Sequence, residues 1–350
     1  MKNRRFLFLF CLIMGVEANA QVNRNFNKRF VLLNDTIQRK IDVNIDSKLF
    51  TTFCYADTIE KPFLFPIYAP NGFSITRGFP LNPQPNDPTD HPHHIGLWFN
   101  YENVNGLDFW NNSYAIDSEK KKNYGWIHVQ KILSTKSGKL ASIEYAANWT
   151  DQQKKVLLEE ITDLNFSTNG SNRIIDRFTK LIAKEDISLN DSKDGLLGLR
   201  VAHELELPIT ETKAYKDGKG NTTYVQATRD SSVTGNYITS DGKQGDAAWG
   251  TRGIWCMLYG KLGGDSISIV IIDHPKNPGY PTYWHARNYG LFAANPLGQK
   301  IFSNGKTALN FKLHKGQSVI FRYRIVIASG RTPLPHSDIE QLVKRFALLK

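Results

Sequence analysis

The chain has 350 residues, 41% hydrophobic and 22% charged, a composition that can bury a core and that excludes an intrinsically disordered polymer. Lys and Arg outnumber Asp and Glu by 44 to 33, a formal net charge of +11, which favours acidic partners. Only three cysteines are present, which excludes a disulfide-built scaffold.

The N-terminus, "MKNRRFLFLFCLIMGVEANAQVN", has the layout of a secretory signal. Lys2, Arg4 and Arg5 precede an apolar run from Phe6 to Val16, and Ala18-Asn19-Ala20 supplies a small-x-small cleavage site. The apolar run is shorter than the roughly 20 residues that span a bilayer. Cleavage near Ala20 leaves residues 21–350 as one periplasmic or secreted domain with no membrane insertion. Residues 1–20 hold three cations and one acid, so +9 of the +11 stays with the mature chain. An exported protein seldom meets nucleic acid, so no nucleic-acid partner is expected. An acidic oligosaccharide is the better partner, with an ordinary basic periplasmic protein as the alternative. Cys54 and Cys256 survive cleavage, as one bridge or as two buried thiols.

Further along, apolar residues recur with period two in "LASIEYAANW" (140–149), "SISIVIID" (266–273) and "FRYRIVIASG" (321–330), which predicts β-strands. "NRIIDRFTKLIA" (172–183) and "GLLGLRVAHELEL" (195–207) continue the pattern less cleanly. "SEKKKNYGW" (118–126) reads as a solvated basic loop, and "DGKGN" (217–221) and "NPLGQKIFSNGK" (295–306) read as turns. A helix is signalled near the C-terminus, where Ile339, Leu342, Val343 and Phe346 share one face and Ser337 and Glu340 have capping-box spacing. The predicted fold is all-β: a large antiparallel β-sandwich with two sheets face to face and a short C-terminal helix on the outside.

Chemistry concentrates in two stretches. In "DPTDHPHHIGLWF" (87–99), His91, His93 and His94 fall within four positions, after Asp90 and before Trp98. An extended His91-Pro92-His93 would put His91 and His93 on one face and His94 on the other. Paired rings suit a metal or general-base work. A cupin metal site would place a carboxylate three or four residues after H-x-H, but the next is Glu102, nine residues after His93. No metal or other cofactor is therefore assigned, with a divalent cation left open. In "IIDHPKNPGYPTYWHARNYGLFAANPLG" (271–298), His285 and Arg287 lie among Trp284 and Tyr289. Aromatic faces beside a cation suit a sugar ring bearing a carboxylate or sulfate. Arg77, Arg200 and His203 are further substrate-binding candidates. Glu159-Glu160 is not a glycosidase pair, because adjacent strand residues face opposite ways.

The blocks "DHPHHIGLWFNYENVNGLDFW" and "WHARNYGLFAANPLG" resemble the DUF6807 family, which also carries the label methane oxygenase PmoA, over roughly Phe63 to Phe302. That label implies a copper membrane subunit, whereas this chain has no candidate span. The resemblance implies a galactose-mutarotase-like β-supersandwich and a carbohydrate-associated role, in which a histidine and a carboxylate flank a sugar; His91, His93, His94 and His203 could supply the histidine, and no motif places the carboxylate.

The leading expectation is β-elimination, as a dehydratase or lyase, at a terminal uronic acid of acidic oligosaccharides such as algal or plant cell-wall fragments, giving a 4,5-unsaturated product. His91 or His93 would be the base, His285 or Tyr289 the acid, and Arg287 or Arg77 the carboxylate clamp. His94 belongs to the same catalytic group, and Trp98, Trp284, Arg200 and His203 would contact substrate. The alternatives are a mutarotase-type sugar epimerase and a non-catalytic carbohydrate-binding protein.

Overall fold

A computed structural model describes residues 29–216, 222–227 and 230–349. The signal segment and the 217–221 turn lie outside the described residues. Two eight-stranded antiparallel sheets dominate. Edge to edge, the first is built from Phe30–Asp35, Lys40–Ile45, Lys48–Cys54, Phe63–Ile67, Leu97–Tyr101, Gly195–Arg200, Leu291–Asn295 and Tyr283–Ala286. The second is built from Asn236–Thr239, Trp255–Leu262, Asp265–Asp273, Ser318–Gly330, Asn172–Ala183, Val156–Asn169, Ala141–Thr150 and Trp126–Lys136.

The alternating stretches form strands because each has an apolar face to bury. Ala141–Thr150 alternates buried and half-buried residues along most of its length. Tyr145, Phe166, Ile269 and Ile325 from the second sheet join Phe53, Phe99, Leu197 and Phe292 from the first in one core. Glu160 faces inward and is buried, whereas Glu159 reaches outward to the Lys184 ammonium, 3.1 Å away. "GLLGLR" is a strand at Gly195–Arg200, buried throughout. The residues after it leave the sheet and form a short 3-10 turn at His203–Leu205.

The C-terminal helix, His336–Ala347, buries Ile339, Leu342 and Phe346 against Trp255, Met257, Val270 and Val326 of the second sheet, with Val343 partly buried. The expected capping box does not form. Pro335 takes the N-cap position, so Ser337 lies inside the helix, and Glu340 Oε1 accepts a hydrogen bond from Trp255 Nε1 at 2.7 Å. The 295–306 turn contains a short helix at Gln299–Phe302. The basic loop is a 3-10 turn at Ser118–Asn123, and Lys121 points inward to Asn112 Oδ1 at 2.7 Å and to Glu60. Cys54 and Cys256 are free thiols, and burial pushes the Cys54 thiol up to about 12. Among the described residues no helix is long and apolar enough to cross a membrane.

Candidate active site

The site lies over the face of the first sheet turned away from the second, and strand alternation puts it there. Leu97, Phe99 and Tyr101 belong to the core between the sheets, whereas Trp98 packs in a separate cluster with Trp110, Tyr289, Leu291 and Ala293. Gly198 makes room for this cluster. A Cβ there would stand 2.5 Å from Trp98 Cζ2 and 2.7 Å from Trp110 Cη2. The two indoles form the floor on which His94 rests, its ring stacked on Trp98 at 5.3 Å.

The histidine segment is not extended. His91 has φ +44°, and the His94 amide donates to the His91 carbonyl at 3.0 Å, closing a turn. All three rings therefore converge: His91–His94 are stacked at 4.8 Å, and His93–His94 meet edge-on at 4.2 Å. A left-handed non-glycine residue is strained and persists only where surrounding contacts hold it. Arg77 supplies them. Its Nη1 donates to the Pro88 and Asp90 carbonyls at 3.0 and 2.7 Å, and its Nη2 to those of His91 and His94 at 3.0 and 3.1 Å.

Behind His91 lies a buried charge network. His91 Nδ1 donates to Asp90 Oδ2, which also accepts from Arg200 Nη1 at 2.8 Å, while Arg200 Nη2 donates to Asp90 Oδ1 at 2.9 Å. Arg200 Nη2 also reaches Glu206 Oε1 at 3.1 Å, and Glu206 Oε2 pairs with His203 Nδ1 at 3.1 Å. Burial would raise the Asp90 carboxyl, but Arg200 and the His91 bond overcome it and hold Asp90 well below the usual carboxylate range. Burial lowers the His91 imidazole against the pull of Asp90, and drives His93, His94 and His285 well below their ordinary value. Burial and the charge of Asp194 push Glu102 up to about 8.

The opposite wall comes from strand Tyr283–Ala286 and the turn after it. His285 Nδ1 stands 3.5 Å from Asp194 Oδ1, and His285 Nε2 accepts from Arg287 Nε at 3.1 Å. The Arg287 guanidinium lies 4.4 Å from the Trp249 ring and 5.3 Å from Tyr215. Among the described residues no acceptor pairs with its terminal nitrogens. Tyr289 stacks on His91 at 4.7 Å, and burial raises its phenol, which stays protonated at neutral pH. A small hairpin, Lys213–Lys216 with Thr222–Val225, adds Tyr215 and Thr223 to the wall.

These groups enclose a polar cavity of about 40 Å³, room for a few waters or one small polar substituent. It continues through His91, His93, Asn111 and Thr223 into an open bay of about 250 Å³ bordered by Ser113, Ile116 and Lys120. A larger groove of about 560 Å³, beside Leu140, Phe166 and Phe178, has no comparable set of proton-transfer groups, so chemistry rather than size selects the site.

Of the expected residues, His91, His93, His94, His285, Arg287 and Tyr289 line this cavity together. The other five stand elsewhere. Arg77 and Arg200 are buried behind the histidine turn and brace it. Trp98 lies beneath His94. Trp284 points into the core between the sheets, because its strand neighbour His285 takes the cavity side. His203 sits at the far end of the Glu206 network, where the Glu206 hydrogen bond raises its imidazole. Sequence reading missed Lys193, Asp194, Trp110, Asn111, Tyr215 and Thr223 as cavity residues. Asp194 brings a carboxylate to the cavity wall; in "NDSKDG" it reads as an ordinary polar turn. Among the described residues no group of three or more His, Cys, Asp or Glu is arranged to hold a metal ion.

Fold and site together define a two-sheet antiparallel sandwich with a histidine-lined cavity on one outer face. The chain belongs to the family of unknown function DUF6807, which it matches over residues 40–344. No protein with a curated description matches it by sequence. Among solved structures it is similar to the GH36 α-galactosidase AgaB of Geobacillus stearothermophilus, with 10% identity and a TM-score of 0.38 over 86% of this chain and 41% of that one. It is also similar to a β-arabinopyranosidase, with 9% identity and a TM-score of 0.32 over 87% of this chain and 39% of that one. A galactose mutarotase related enzyme from Lactobacillus acidophilus matches with 9% identity and a TM-score of 0.28 over 87% of this chain and 98% of that one. The chain thus spans about two fifths of the length of the galactosidase and of the arabinopyranosidase.

Proposed function

We propose that this protein is an exported carbohydrate-active enzyme that performs β-elimination on a terminal uronic acid of an acidic oligosaccharide. The observation that carries this reading is the pairing, in one cavity, of neutral histidines with Arg287, whose terminal nitrogens have no acceptor among the described residues. Such a fork matches a carboxylate. Binding it would acidify the neighbouring C5 proton by stabilising the charge that develops on deprotonation.

The Asp90–His91 pair then serves as base. Nδ1–H is committed to Asp90, which leaves the Nε2 lone pair to take the C5 proton. The electrons of that C–H bond form the C4=C5 double bond as the C4–O bond breaks, and the protonated phenol of Tyr289 delivers a proton to the departing oxygen. Water leaves in a dehydratase and a sugar in a lyase. His285 receives a hydrogen bond from Arg287 on one nitrogen and faces Asp194 with the other, which suits holding Arg287 in place better than proton donation. His93 and His94 keep the pocket neutral and packed around His91.

The test is to mix the protein with uronate-ended oligosaccharides and follow near-ultraviolet absorbance of the conjugated product together with product mass. Absorbance should rise with loss of water or of a sugar, and Arg287→Ala should reduce turnover by about 10²-fold or more. Unchanged masses across the panel would overturn elimination. One observation favours a second reading, a mutarotase-type epimerase: Asp194 faces the cavity and gives it a histidine–carboxylate pair. Accelerated anomer interconversion of neutral sugars, measured by polarimetry, would support that reading instead.

A further inference from the structure

We propose that Lys61 is a positioning residue for the cavity, binding together the two backbone segments that carry His93 and Trp110. The proposal rests on reading the cavity as a catalytic site. Lys61 lies in the turn between strands Lys48–Cys54 and Phe63–Ile67 and is only 3% exposed. Its Nζ donates to the His93 carbonyl at 2.8 Å and to the Trp110 carbonyl at 3.4 Å. The same ammonium sits 5.5 Å from the centroid of the Trp98 ring, the floor under His94. Among the described residues it forms no ion pair with a carboxylate. A buried ammonium without a counter-ion is costly. A methionine would fill the same space at lower cost but would leave both carbonyls without this donor. What the ammonium adds is therefore directional: two hydrogen bonds that fix the histidine turn against the Trp110 segment, and a positive charge beneath His93.

The charges acting on Lys61 are Glu60 beside it in the chain, Asp108 from the Trp110 segment and Lys121 from the 118–123 turn. Burial outweighs the two acids and lowers the Lys61 ammonium to about 8. Lys61 in turn disfavours the charged form of His93, together with burial and His91. Deprotonation of Lys61 should therefore weaken both carbonyl bonds in mildly alkaline solution without any change in sequence.

The experiment is a substrate-free titration of the whole protein by nuclear magnetic resonance, from neutral to alkaline pH. It follows the Lys61 side chain and the carbonyl carbons of His93 and Trp110. The two carbonyl signals should shift with the Lys61 midpoint; carbonyls that ignore it overturn the proposal. In Lys61→Met these shifts should vanish, the His93 imidazole should titrate at higher pH, and kcat should fall more than KM rises. Lys61→Arg should return the His93 midpoint toward its original value. If Lys61→Met fails to fold, the wild-type titration decides alone. Coupled carbonyl shifts in a protein that turns over no uronate would sink the elimination reading and leave Lys61 in its positioning role. Wild-type kcat and pH profile in a folded Lys61→Met would do the reverse.

Discussion

Acid should destabilise this protein through its cavity, and His94→Gln isolates the effect. In an unfolded chain a histidine takes up a proton near its ordinary value of about 6.5. In the fold, burial holds His91, His93, His94 and His285 below that value. Below about pH 6.5 the unfolded state binds more protons at these positions, so their contribution to stability falls as pH falls. Each pH unit below about 6.5 over which one ring stays neutral accounts for about 1.36 kcal/mol of loss.

Four buried carboxyls, Glu102, Asp176, Glu206 and Asp273, act oppositely, each raised by burial. Glu102, raised to about 8, and Asp273, raised to about 7 by burial, are protonated in the fold where unfolded carboxyls are charged, so each adds stability as pH falls through those values. The total slope therefore mixes signs, and a comparison of variants is needed. His94 suits it because it is buried against Trp98 and His91. Urea unfolding at about pH 7, 6 and 5 should show wild type losing stability more steeply than His94→Gln, by at most about 1.36 kcal/mol for each pH unit below about 6.5. The offset that the substitution causes at pH 7 cancels in that difference. Parallel stability curves would mean that His94 becomes protonated inside the fold, which would refute a neutral His94.

Three further outcomes are expected. Asp90→Asn removes the charge that orients His91 and leaves buried Arg200 with Glu206 alone; it should cost about 3–5 kcal/mol in urea unfolding and reduce turnover by about 10²–10⁴-fold, and unchanged stability would show that Arg200 does not need Asp90. Glu160→Ala breaks a buried set in which Tyr145, Trp149, Thr162 and Arg177 all donate to one carboxylate; it should cost a similar roughly 3–5 kcal/mol while leaving KM unaltered, because the network lies in the second sheet, away from the cavity. Gly198→Ala forces Trp98 and Trp110 apart and should cost about 1–3 kcal/mol with a changed near-ultraviolet circular dichroism band, whereas an unperturbed band would show that the indole floor can yield.

Much of this architecture is legible in the sequence, because it depends on short-range patterns. Period-two alternation in 140–149, 266–273 and 321–330 points to strands, and all three are strands, although 266–273 and most of 321–330 are buried on both faces because the C-terminal helix covers the outer one. Apolar spacing in 339–346 locates the C-terminal helix, whereas the capping-box spacing of Ser337 and Glu340 does not mark its start, because Pro335 is the N-cap and Ser337 lies inside the helix. Residue type also brought the two histidine-bearing blocks forward, since clustered histidines have few structural uses.

Tertiary structure decided which of those side chains share a space. The His91–His94 turn is imposed by Arg77, which lies fourteen residues before His91 and contributes four hydrogen bonds that no local pattern announces. Trp284 and His285 are neighbours in sequence but face opposite ways across the sheet. Asp194 and Lys193 reach the cavity only because their turn precedes a central strand of the first sheet, and in sequence they resemble any surface loop. The sequence by itself determined a β-rich, helix-capped, basic chain with a concentrated store of histidine, because secondary structure and composition follow from residues close together along the chain. Which groups are buried, paired and held neutral depends on strand order and on contacts between segments far apart in the chain, and burial and charge then set the protonation states on which the cavity's chemistry depends.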